Sequence, residues 1–209
     1  MGCPLCGGND VGRFELDYYR CAACELTFLD PALRPDPAAE RARYDEHRND
    51  PHDVGYRTFL QRLAGPLTEI VPPGTRGLDY GSGPGPTLSL MLAEAGYDVA
   101  LYDPFYADDA SVLMDSYDFI TCTEVAEHFF NPGAEFERVA GMLRPGGVLA
   151  VMTEPLHDDV DFPRWHYRRD PTHVCFYRPA TMEWIAQRYG WRMVQPSLRV
   201  TLFVDVRAT

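Results

Sequence analysis

The pattern of apolar and polar positions changes character along the chain. Residues 1–30 carry short apolar clusters between cysteine pairs, and the alternating stretch 14–20 predicts a strand. The proline-rich stretch 30–37 predicts a linker. Residues 38–71 have helical spacing with a break at 49–52, and they predict a helical arm that leads into the larger part of the chain.

From residue 76 onward, short apolar runs alternate with amphipathic stretches. The runs that predict strands are 77–80, 98–102, 117–123 and 148–153, with a closing antiparallel pair at 191–196 and 199–206. The stretches that predict helices are 87–95, 133–143 and 179–189. This order predicts an α/β fold with a mostly parallel sheet and helices on both faces. Pro66 predicts a kink or a second start within the preceding helix, 56–71.

The length of 209 residues accommodates one domain of ordinary size and a small appendage. We predict three parts: residues 1–30, a linker and helical arm at 31–55, and a main domain at 56–209. No run of 18 apolar residues occurs, so no membrane-spanning helix is expected. The first residues lack the basic-then-apolar order of a secretory signal, and the expected compartment is the cytoplasm. No feature of the sequence predicts an oligomeric state.

The charge balance narrows the class of partner. The chain has 31 acidic and 19 basic residues, which gives a net charge of −12. Proteins that grip a phosphate backbone usually present a basic surface. The acidic balance therefore favours a small-molecule substrate over nucleic acid.

Four of the six cysteines form two Cys-x-x-Cys pairs within the first 24 residues. The pairs are Cys3 with Cys6 and Cys21 with Cys24. In the expected cytoplasmic setting such pairs indicate metal binding and not disulfides, and four thiolates suit a tetrahedral Zn²⁺ ion. We predict a structural zinc ribbon, because so short a segment has too little core to fold alone. The ribbon could in addition help to shape a substrate pocket.

A glycine-rich segment, residues 78–86, lies between a predicted strand and a predicted helix. Its glycines are Gly81, Gly83 and Gly85. They place backbone N–H groups and a helix N-terminus where a nucleotide-type ligand can bind. Asp103 ends the next predicted strand, where a carboxylate can accept hydrogen bonds from ribose hydroxyls. NAD is one candidate, but the Gly-x-Gly-x-Gly spacing differs from the dinucleotide fingerprint, and Asp79 could receive a cationic amino-acid head.

Residues 78–86 resemble the first motif of class I S-adenosylmethionine (SAM)-dependent methyltransferases. The resemblance extends through Asp103, the strand 117–123 and the turn 143–147, and it covers residues 56–206. It implies a Rossmann-like methyltransferase sheet, mostly parallel with an antiparallel C-terminal strand, behind a small N-terminal zinc ribbon. It also implies SAM as the cofactor.

The resemblance implies a cofactor-binding set of seven residues: Asp79, Gly81, Gly83, Gly85, Asp103, Thr123 and Glu124. Asp79 and the glycines would lie along the methionine portion, and Asp103 would bind the ribose. Only 14 residues separate Asp103 from Asp118, so the helix and strand that usually lie between them must be shortened or lost. The residue that contacts adenine is left open, with Asp115 or a neighbour as a candidate.

A second group of candidate residues follows the predicted strand 117–123. Glu124, Glu127 and His128 would share one face of a helix, and His173 lies farther along in a predicted loop. These residues resemble the metal-binding residues of small-RNA 2′-O-methyltransferases and of ubiquinone-pathway O-methyltransferases, which pair Glu-x-x-Glu-His with a later His. The resemblance implies a Mg²⁺ or Mn²⁺ site at Glu124, Glu127, His128 and His173. Such an ion would lower the pKa of a substrate hydroxyl and orient it toward the SAM methyl group.

Two alternatives to the divalent ion stay open at this point. Asp170 and His173 could form a metal-free acid–base pair with His173 as the base, and His128 completes the candidate catalytic set. The same residues could instead be structural. Two further groups could either serve a cleft or only pack: Trp165, His166, Tyr167 and Tyr177 as an aromatic substrate pocket, and Tyr44, His47, Asn49, His52 and Tyr56 as a lid.

The leading functional hypothesis is SAM-dependent methyl transfer to a hydroxyl of a small-molecule acceptor, assisted by a divalent metal. Methyltransferases headed by a zinc ribbon also occur among sugar-modifying C-methyltransferases, which keeps the acceptor atom open. An RNA methyltransferase is one alternative, and a non-catalytic SAM-binding or scaffold protein is another.

Overall fold

The computed structural model describes residues 1–46 and 49–206. Residues 47–48 of the predicted arm and residues 207–209 of the predicted main domain lie outside this description. The N-terminal part contains three short strands: β1 (Val11–Arg13), β2 (Tyr18–Cys21) and β3 (Thr27–Leu29). The arm contains helix α1 (Pro37–Tyr44), which is capped by the Asp36 carboxylate, and it leads into helix α2 (Val54–Ile70).

The remaining elements alternate as predicted. The strands are β4 (Arg76–Tyr80), β5 (Asp98–Tyr102), β6 (Tyr117–Thr123), β7 (Leu143–Met152), β8 (Cys175–Phe176), β9 (Trp191–Ser197) and β10 (Val200–Asp205). The helices are α3 (Thr87–Glu94), α4 (Pro132–Met142) and α5 (Pro179–Tyr189). Helix α5 ends where Gly190 adopts a left-handed conformation, as its glycine predicts.

The main sheet has six strands in the order β5-β4-β6-β7-β10-β9. The first four are parallel, and β10 and β9 are antiparallel to their neighbours. This confirms the predicted mostly parallel sheet with an antiparallel C-terminal end. Because parallel strands place their carboxyl ends at one edge, the residues that follow β4, β5 and β6 meet there.

Apolar side chains pack on both faces of this sheet. One core cluster lies against α2 and α3 and includes Leu63, Leu67 and Phe119. The other joins α4 and α5 to the N-terminal strands and includes Phe28 and Phe136. The ribbon segment therefore shares a continuous core with the main sheet.

Three local features differ from, or sharpen, what the sequence predicts. The predicted strand 14–20 is confirmed only over residues 18–20, which belong to β2, because residues 14–17 form a turn in which Leu16 has a positive φ. Helix α2 continues through Pro66 as one element. Between β5 and β6 there is only a 3-10 helix at Ala110–Met114, which confirms the predicted shortening of this connection.

A second sheet joins the N-terminal part to the rest of the chain. Its order is β1-β2-β3-β8, so its fourth strand comes from near residue 175. Thr27 pairs with Phe176, and Phe28 pairs with Cys175. The division at residues 30 and 55 stays a prediction. In the described ranges, 1–46 and 49–206, no helix combines the length and the apolarity that crossing a bilayer requires.

Candidate functional site

A cleft of about 670 Å³ opens at the carboxyl ends of β4, β5 and β6. Its walls come from the glycine loop 81–85, the residues after β6, the arm and the loop 170–173. Its position is the one at which parallel α/β sheets commonly bind ligands. The predicted lid residues Tyr44, Asn49 and Tyr56 line it, and His47 lies outside the described residues.

The glycine loop requires glycine at two positions for different reasons. Gly81 has φ +82°, and a Cβ there would lie 2.5 Å from Val125 Cγ2. A Cβ on Gly85 would lie 2.3 Å from the carbonyl oxygen of Asn49. The loop is therefore closely packed between Val125 and the arm, and its glycines add no side chain to the cleft wall.

Asp79 lies at the end of β4 and is buried. Its carboxylate accepts hydrogen bonds from Ser89 Oγ at 2.7 Å and from Thr121 Oγ1 at 2.8 Å. Burial raises the pKa of Asp79, and these two hydroxyls oppose that shift. Each carboxylate oxygen thus already has a donor, which makes Asp79 a support of the loop as well as a residue of the cleft wall.

Asp103 follows β5, as the sequence predicts for a ribose-binding residue. Its Oδ2 accepts from the Gly83 N–H at 2.9 Å. Its Oδ1 accepts from the N–H groups of Phe105 at 2.8 Å and Tyr106 at 3.1 Å. A carboxylate has about four acceptor positions, so one position is left for a ligand hydroxyl.

Three buried oxygens beside the glycine loop have no hydrogen-bond partner among the described residues: Ser82 Oγ, Thr123 Oγ1 and Glu124 Oε1. All three residues line the cleft. Buried polar atoms in folded proteins are normally paired with protein, water or ligand. Their position therefore indicates that the cleft is built for a polar ligand.

The segment after β6 departs from the predicted helix. Glu124 has φ +53°, and only Ala126–His128 form a short 3-10 helix. Because of this left-handed turn, Glu124 and Glu127 do not lie on one regular helix, as their spacing suggests, although the Tyr167 hydroxyl lies within hydrogen-bond distance of both carboxylates. Burial, followed by the charge of Glu127, raises the pKa of Glu124 to about 8.

Glu127, His128 and His173 do come together. Each can offer one ligand atom such that the three atoms lie within 4.8 Å of one another. Glu127 is fully buried, and burial raises its pKa to about 7. Glu124 is not part of this group, so the structure brings together three of the four predicted ligands of the divalent ion.

The two imidazoles are oriented by backbone carbonyls. His128 Nδ1 lies 3.0 Å from the carbonyl oxygen of Thr172, and His173 Nδ1 lies 2.6 Å from that of Tyr167. A carbonyl oxygen only accepts, so each Nδ1 donates, and each neutral ring carries its lone pair on Nε2. Metal-binding histidines commonly have this arrangement. Burial is the main cause that lowers the pKa of His173 to about 4, which keeps its ring neutral at pH 7.

Asp170 has partners other than His173. Its Oδ1 accepts from Thr172 Oγ1 at 2.6 Å, and its Oδ2 pairs with the Arg43 guanidinium at 2.8 Å. Burial would raise the pKa of Asp170, but the hydrogen bonds from Thr172 and Arg43 outweigh it and lower the pKa to about 2. The carboxylate therefore fastens α1 of the arm to the loop that carries His173.

The four N-terminal cysteines form a second candidate metal centre, with sulfurs that all lie within 4.8 Å of one another. Cys3 Sγ and Cys24 Sγ are 3.5 Å apart, as are Cys6 Sγ and Cys21 Sγ. Thiolates at about 2.3 Å from a tetrahedral zinc ion are separated by roughly 3.8 Å. The donor type, number and spacing therefore fit Zn²⁺.

Two backbone hydrogen bonds connect the cysteine group to the cleft. The Leu29 N–H in β3 donates to the carbonyl of Val174 at 2.9 Å, and the Val174 N–H donates to that of Glu127 at 2.8 Å. Val174 directly follows His173. The ribbon sheet thus supports the segment that carries His173 and, through Val174, the backbone of Glu127.

Sequence reasoning missed several residues that shape the site. Thr121 and Ser89 hold Asp79, and Arg43 holds Asp170. A hydroxyl two residues before a strand end is the weak signal that could have found Thr121. Tyr167 belongs to a predicted aromatic pocket, but it lies buried behind Glu127 and does not line the cleft.

Comparison with known proteins places these features in context. A family model described as a methyltransferase domain matches residues 44–196, which is more than half of the chain. A ubiquinone biosynthesis O-methyltransferase of Aeromonas salmonicida is 31% identical over 77 residues. That alignment covers 37% of this chain and 32% of the relative, so the chain matches about a third of the relative's length.

Two solved structures share the fold. A 1,6-didemethyltoxoflavin N1-methyltransferase of Burkholderia thailandensis, with S-adenosylhomocysteine bound, superposes with a TM-score of 0.55 at 13% identity and covers 95% of this chain and 100% of that one. A magnesium protoporphyrin IX methyltransferase of Synechocystis, with SAH bound, has a TM-score of 0.54 at 18% identity and covers 80% and 93%. At these identities the likeness is one of fold.

Proposed function

The chain belongs to the methyltransferase-domain family, and we propose that it binds SAM in the cleft and transfers the methyl group to a hydroxyl of a small-molecule acceptor. The observation that carries the proposal is the set of buried oxygens without partners, on Ser82, Thr123 and Glu124, beside the glycine loop. These three oxygens offer polar contacts that protein groups in the described ranges do not use.

For the cofactor, Gly81, Gly83 and Gly85 would lie along its methionine portion, and Asp103 would accept from a ribose hydroxyl. We assign the cationic amino-acid head to Glu124 and not to Asp79 alone. Asp79 already accepts two hydroxyl hydrogens, whereas Glu124 Oε1 lies buried in the cleft wall without a donor from the described residues. An ammonium group there would satisfy that oxygen.

Bound SAM supplies an electrophilic methyl group on a sulfonium, so the protein mainly has to align the acceptor and remove its proton. The arm contributes by covering the cleft: Asn49 contacts the glycine loop, and Tyr44 packs on His128 with ring centroids 5.2 Å apart. The Arg43–Asp170 pair holds this arm against the His173 loop. We expect these contacts to limit the access of water to the acceptor side.

We further propose that Glu127, His128 and His173 hold a divalent ion, Mg²⁺ or Mn²⁺. One carboxylate and two imidazoles suit Mn²⁺ better than Mg²⁺, which prefers oxygen ligands, and backbone carbonyls already orient both rings. The ion would lower the pKa of the acceptor hydroxyl and orient it. The low pKa of His173 favours this role over that of a metal-free base, since a base works best with a pKa near the working pH.

We propose a structural Zn²⁺ ion for Cys3, Cys6, Cys21 and Cys24, because four thiolates leave no open position for a substrate. A small-molecule acceptor fits the net charge of −12, which opposes RNA binding. The hydroxyl acceptor is supported by the name of the Aeromonas relative, an O-methyltransferase. The cytoplasm stays the expected compartment.

The deciding experiment is isothermal titration with S-adenosylhomocysteine, followed by a product assay for S-adenosylhomocysteine with a panel of phenols. We expect micromolar binding, which is lost in Glu124→Gln or weakened at least tenfold. Absence of binding to the wild-type protein would refute the proposal. Binding without turnover on any acceptor would favour the non-catalytic alternative, and tight, salt-sensitive RNA binding would favour RNA methylation.

A further inference from the structure

Tyr167 lies directly behind the Glu127, His128 and His173 group. It begins the 3-10 helix Tyr167–Arg169 and is buried. Its ring packs on Trp165 and His173, with centroid distances of 5.3 Å and 4.2 Å. None of these packing contacts uses its hydroxyl, so packing alone would be served equally well by phenylalanine.

The Tyr167 hydroxyl instead contacts three oxygens. It donates a short hydrogen bond to Glu127 Oε1, and it lies 3.2 Å from Glu124 Oε2 and 3.1 Å from Thr153 Oγ1. Thr153 Oγ1 in turn donates to the other Glu127 oxygen, Oε2, at 2.9 Å. Both oxygens of a fully buried carboxylate are thereby fixed by hydroxyls.

The same tyrosine also fixes His173. Its backbone carbonyl accepts from His173 Nδ1 at 2.6 Å, and its ring lies against the imidazole. One residue therefore orients a carboxylate through its hydroxyl and an imidazole through its carbonyl. Partners of metal ligands that act in this way typically change metal affinity by about 10- to 100-fold when they are removed.

We infer that Tyr167, together with Thr153, is a positioning residue that holds Glu127 and His173 in the geometry that binds a divalent ion. The inference rests on the proposed divalent-ion site, but it assigns a role to residues that do not line the cleft or contact the ion. Tyr167→Phe keeps the ring and the carbonyl and removes only the hydroxyl, so it separates the positioning of Glu127 from packing.

The test is titration of the purified full chain, with its cysteine-bound zinc retained, with MnCl₂ alone, followed by electron paramagnetic resonance and calorimetry. We expect Tyr167→Phe to weaken Mn²⁺ binding by about 10- to 100-fold. S-adenosylhomocysteine affinity should stay within twofold of the wild type, because the glycine loop is untouched. Thr153→Val should weaken Mn²⁺ binding in the same direction by a smaller factor.

The matched control is Tyr97→Phe. Tyr97 is also buried and donates its hydroxyl to a carbonyl, that of Val71 at 2.7 Å, on the opposite face of the sheet. The Tyr97→Phe variant should lose about as much thermal stability as Tyr167→Phe and keep the Mn²⁺ affinity of the wild type.

Mn²⁺ affinity within twofold of the wild type in Tyr167→Phe overturns the inference, as does a wild type that binds S-adenosylhomocysteine but no Mn²⁺. If Tyr167→Phe does not fold, unchanged Mn²⁺ affinity in Thr153→Val overturns it. Failure of S-adenosylhomocysteine to bind is measured separately and counts against the proposed function.

Discussion

Two groups of side chains in the described part of the chain could hold a metal ion, and they differ in donor chemistry and in enclosure. The N-terminal group consists of four thiols on two knuckles, of which Cys21 and Cys24 are almost fully buried. The cleft group has one carboxylate and two imidazoles, Glu127, His128 and His173, beside a cavity of about 670 Å³. Four protein ligands leave no place for a substrate, whereas three beside a cavity do.

From this difference we expect the two groups to serve stability and chemistry separately, although hydrogen bonds of the fold connect them. Val174 receives a hydrogen bond from the ribbon strand β3 and donates one to Glu127. The cysteine group should therefore dominate the free energy of unfolding, and the cleft group should dominate ligand affinity. A cysteine variant that changes mainly ligand affinity, or a cleft variant that changes mainly the free energy of unfolding, would contradict this expectation.

The largest effect is expected at the ribbon. Cys24→Ser should lower the free energy of unfolding by at least about 4 kcal/mol and the Tm by roughly 10 °C or more, because structural zinc supplies folding energy. Calorimetry with zinc analysis measures both quantities. Cys122→Ala, which changes a buried thiol outside the group, is the control and should cost much less. A Cys24→Ser protein with wild-type Tm would show that the ribbon carries no stability.

The next largest effect should appear in the glycine loop. Gly81→Ala should weaken S-adenosylhomocysteine binding by about 100-fold, since the new methyl group meets Val125 and the loop must shift. Gly146 has a similar positive φ of +79°, but no atom lies within 4 Å of a Cβ placed there. Gly146→Ala should thus carry only backbone strain of about 1 kcal/mol and bind the ligand normally. Equal loss of binding in both variants would contradict the steric explanation.

A smaller effect separates the two metal groups directly. Glu127→Gln should weaken Mn²⁺ binding at least tenfold and leave the zinc content unchanged, because a neutral amide is a poorer ligand for a hard cation. The control is Glu154→Gln, a carboxylate paired with Arg199 outside the group. Full turnover after chelation of divalent ions, with the cysteine-bound zinc retained, would end the metal proposal.

The smallest effect concerns the arm. Asp170→Asn removes the ion pair with Arg43 and should lower the free energy that holds α1 against the His173 loop by about 1 kcal/mol. Tryptic cleavage after Arg43 should therefore increase roughly fivefold. Asp161→Asn, which disrupts an exposed pair with Arg164, should not. Because the pKa of Asp170 is lowered to about 2, the ion pair should contribute fully above about pH 4 and be lost as the pH falls through 2. A rate of tryptic cleavage that is unchanged in Asp170→Asn would show that the Arg43–Asp170 ion pair does not hold the arm in place.

Much of the fold was predictable because its signals are local. Strands β5 and β6 and helix α5 occupy the predicted residues, since alternation and helical spacing are read over a few positions. Strand β8 was not predicted, because two residues carry no period and their pairing with β3 is set by the distant ribbon. The glycine loop was also predictable, because the strand before it and the helix after it are adjacent to it in the sequence.

The finer geometry of the site was less accessible from sequence. The spacing of Glu124 and Glu127 indicates a shared helical face, but Glu124 has a left-handed conformation and precedes the short 3-10 helix Ala126–His128. The role of Tyr167 depends on its contact with Glu127, which lies 40 positions earlier in the chain. The role of Arg43 depends on its contact with Asp170, which lies 127 positions later. No local pattern encodes such contacts.

The pairing of β3 with β8 has a consequence for biosynthesis. Phe28 leaves the ribosome roughly 150 residues before its partner Cys175, which corresponds to about 7–30 s at typical rates of translation. During this interval the cysteine knuckles are complete, but the edge of β3 is not yet covered. Metal capture by the cysteine pairs of the nascent chain would therefore precede the pairing of β8 with β3, and the segment that carries His173 would close on a ribbon that has already formed.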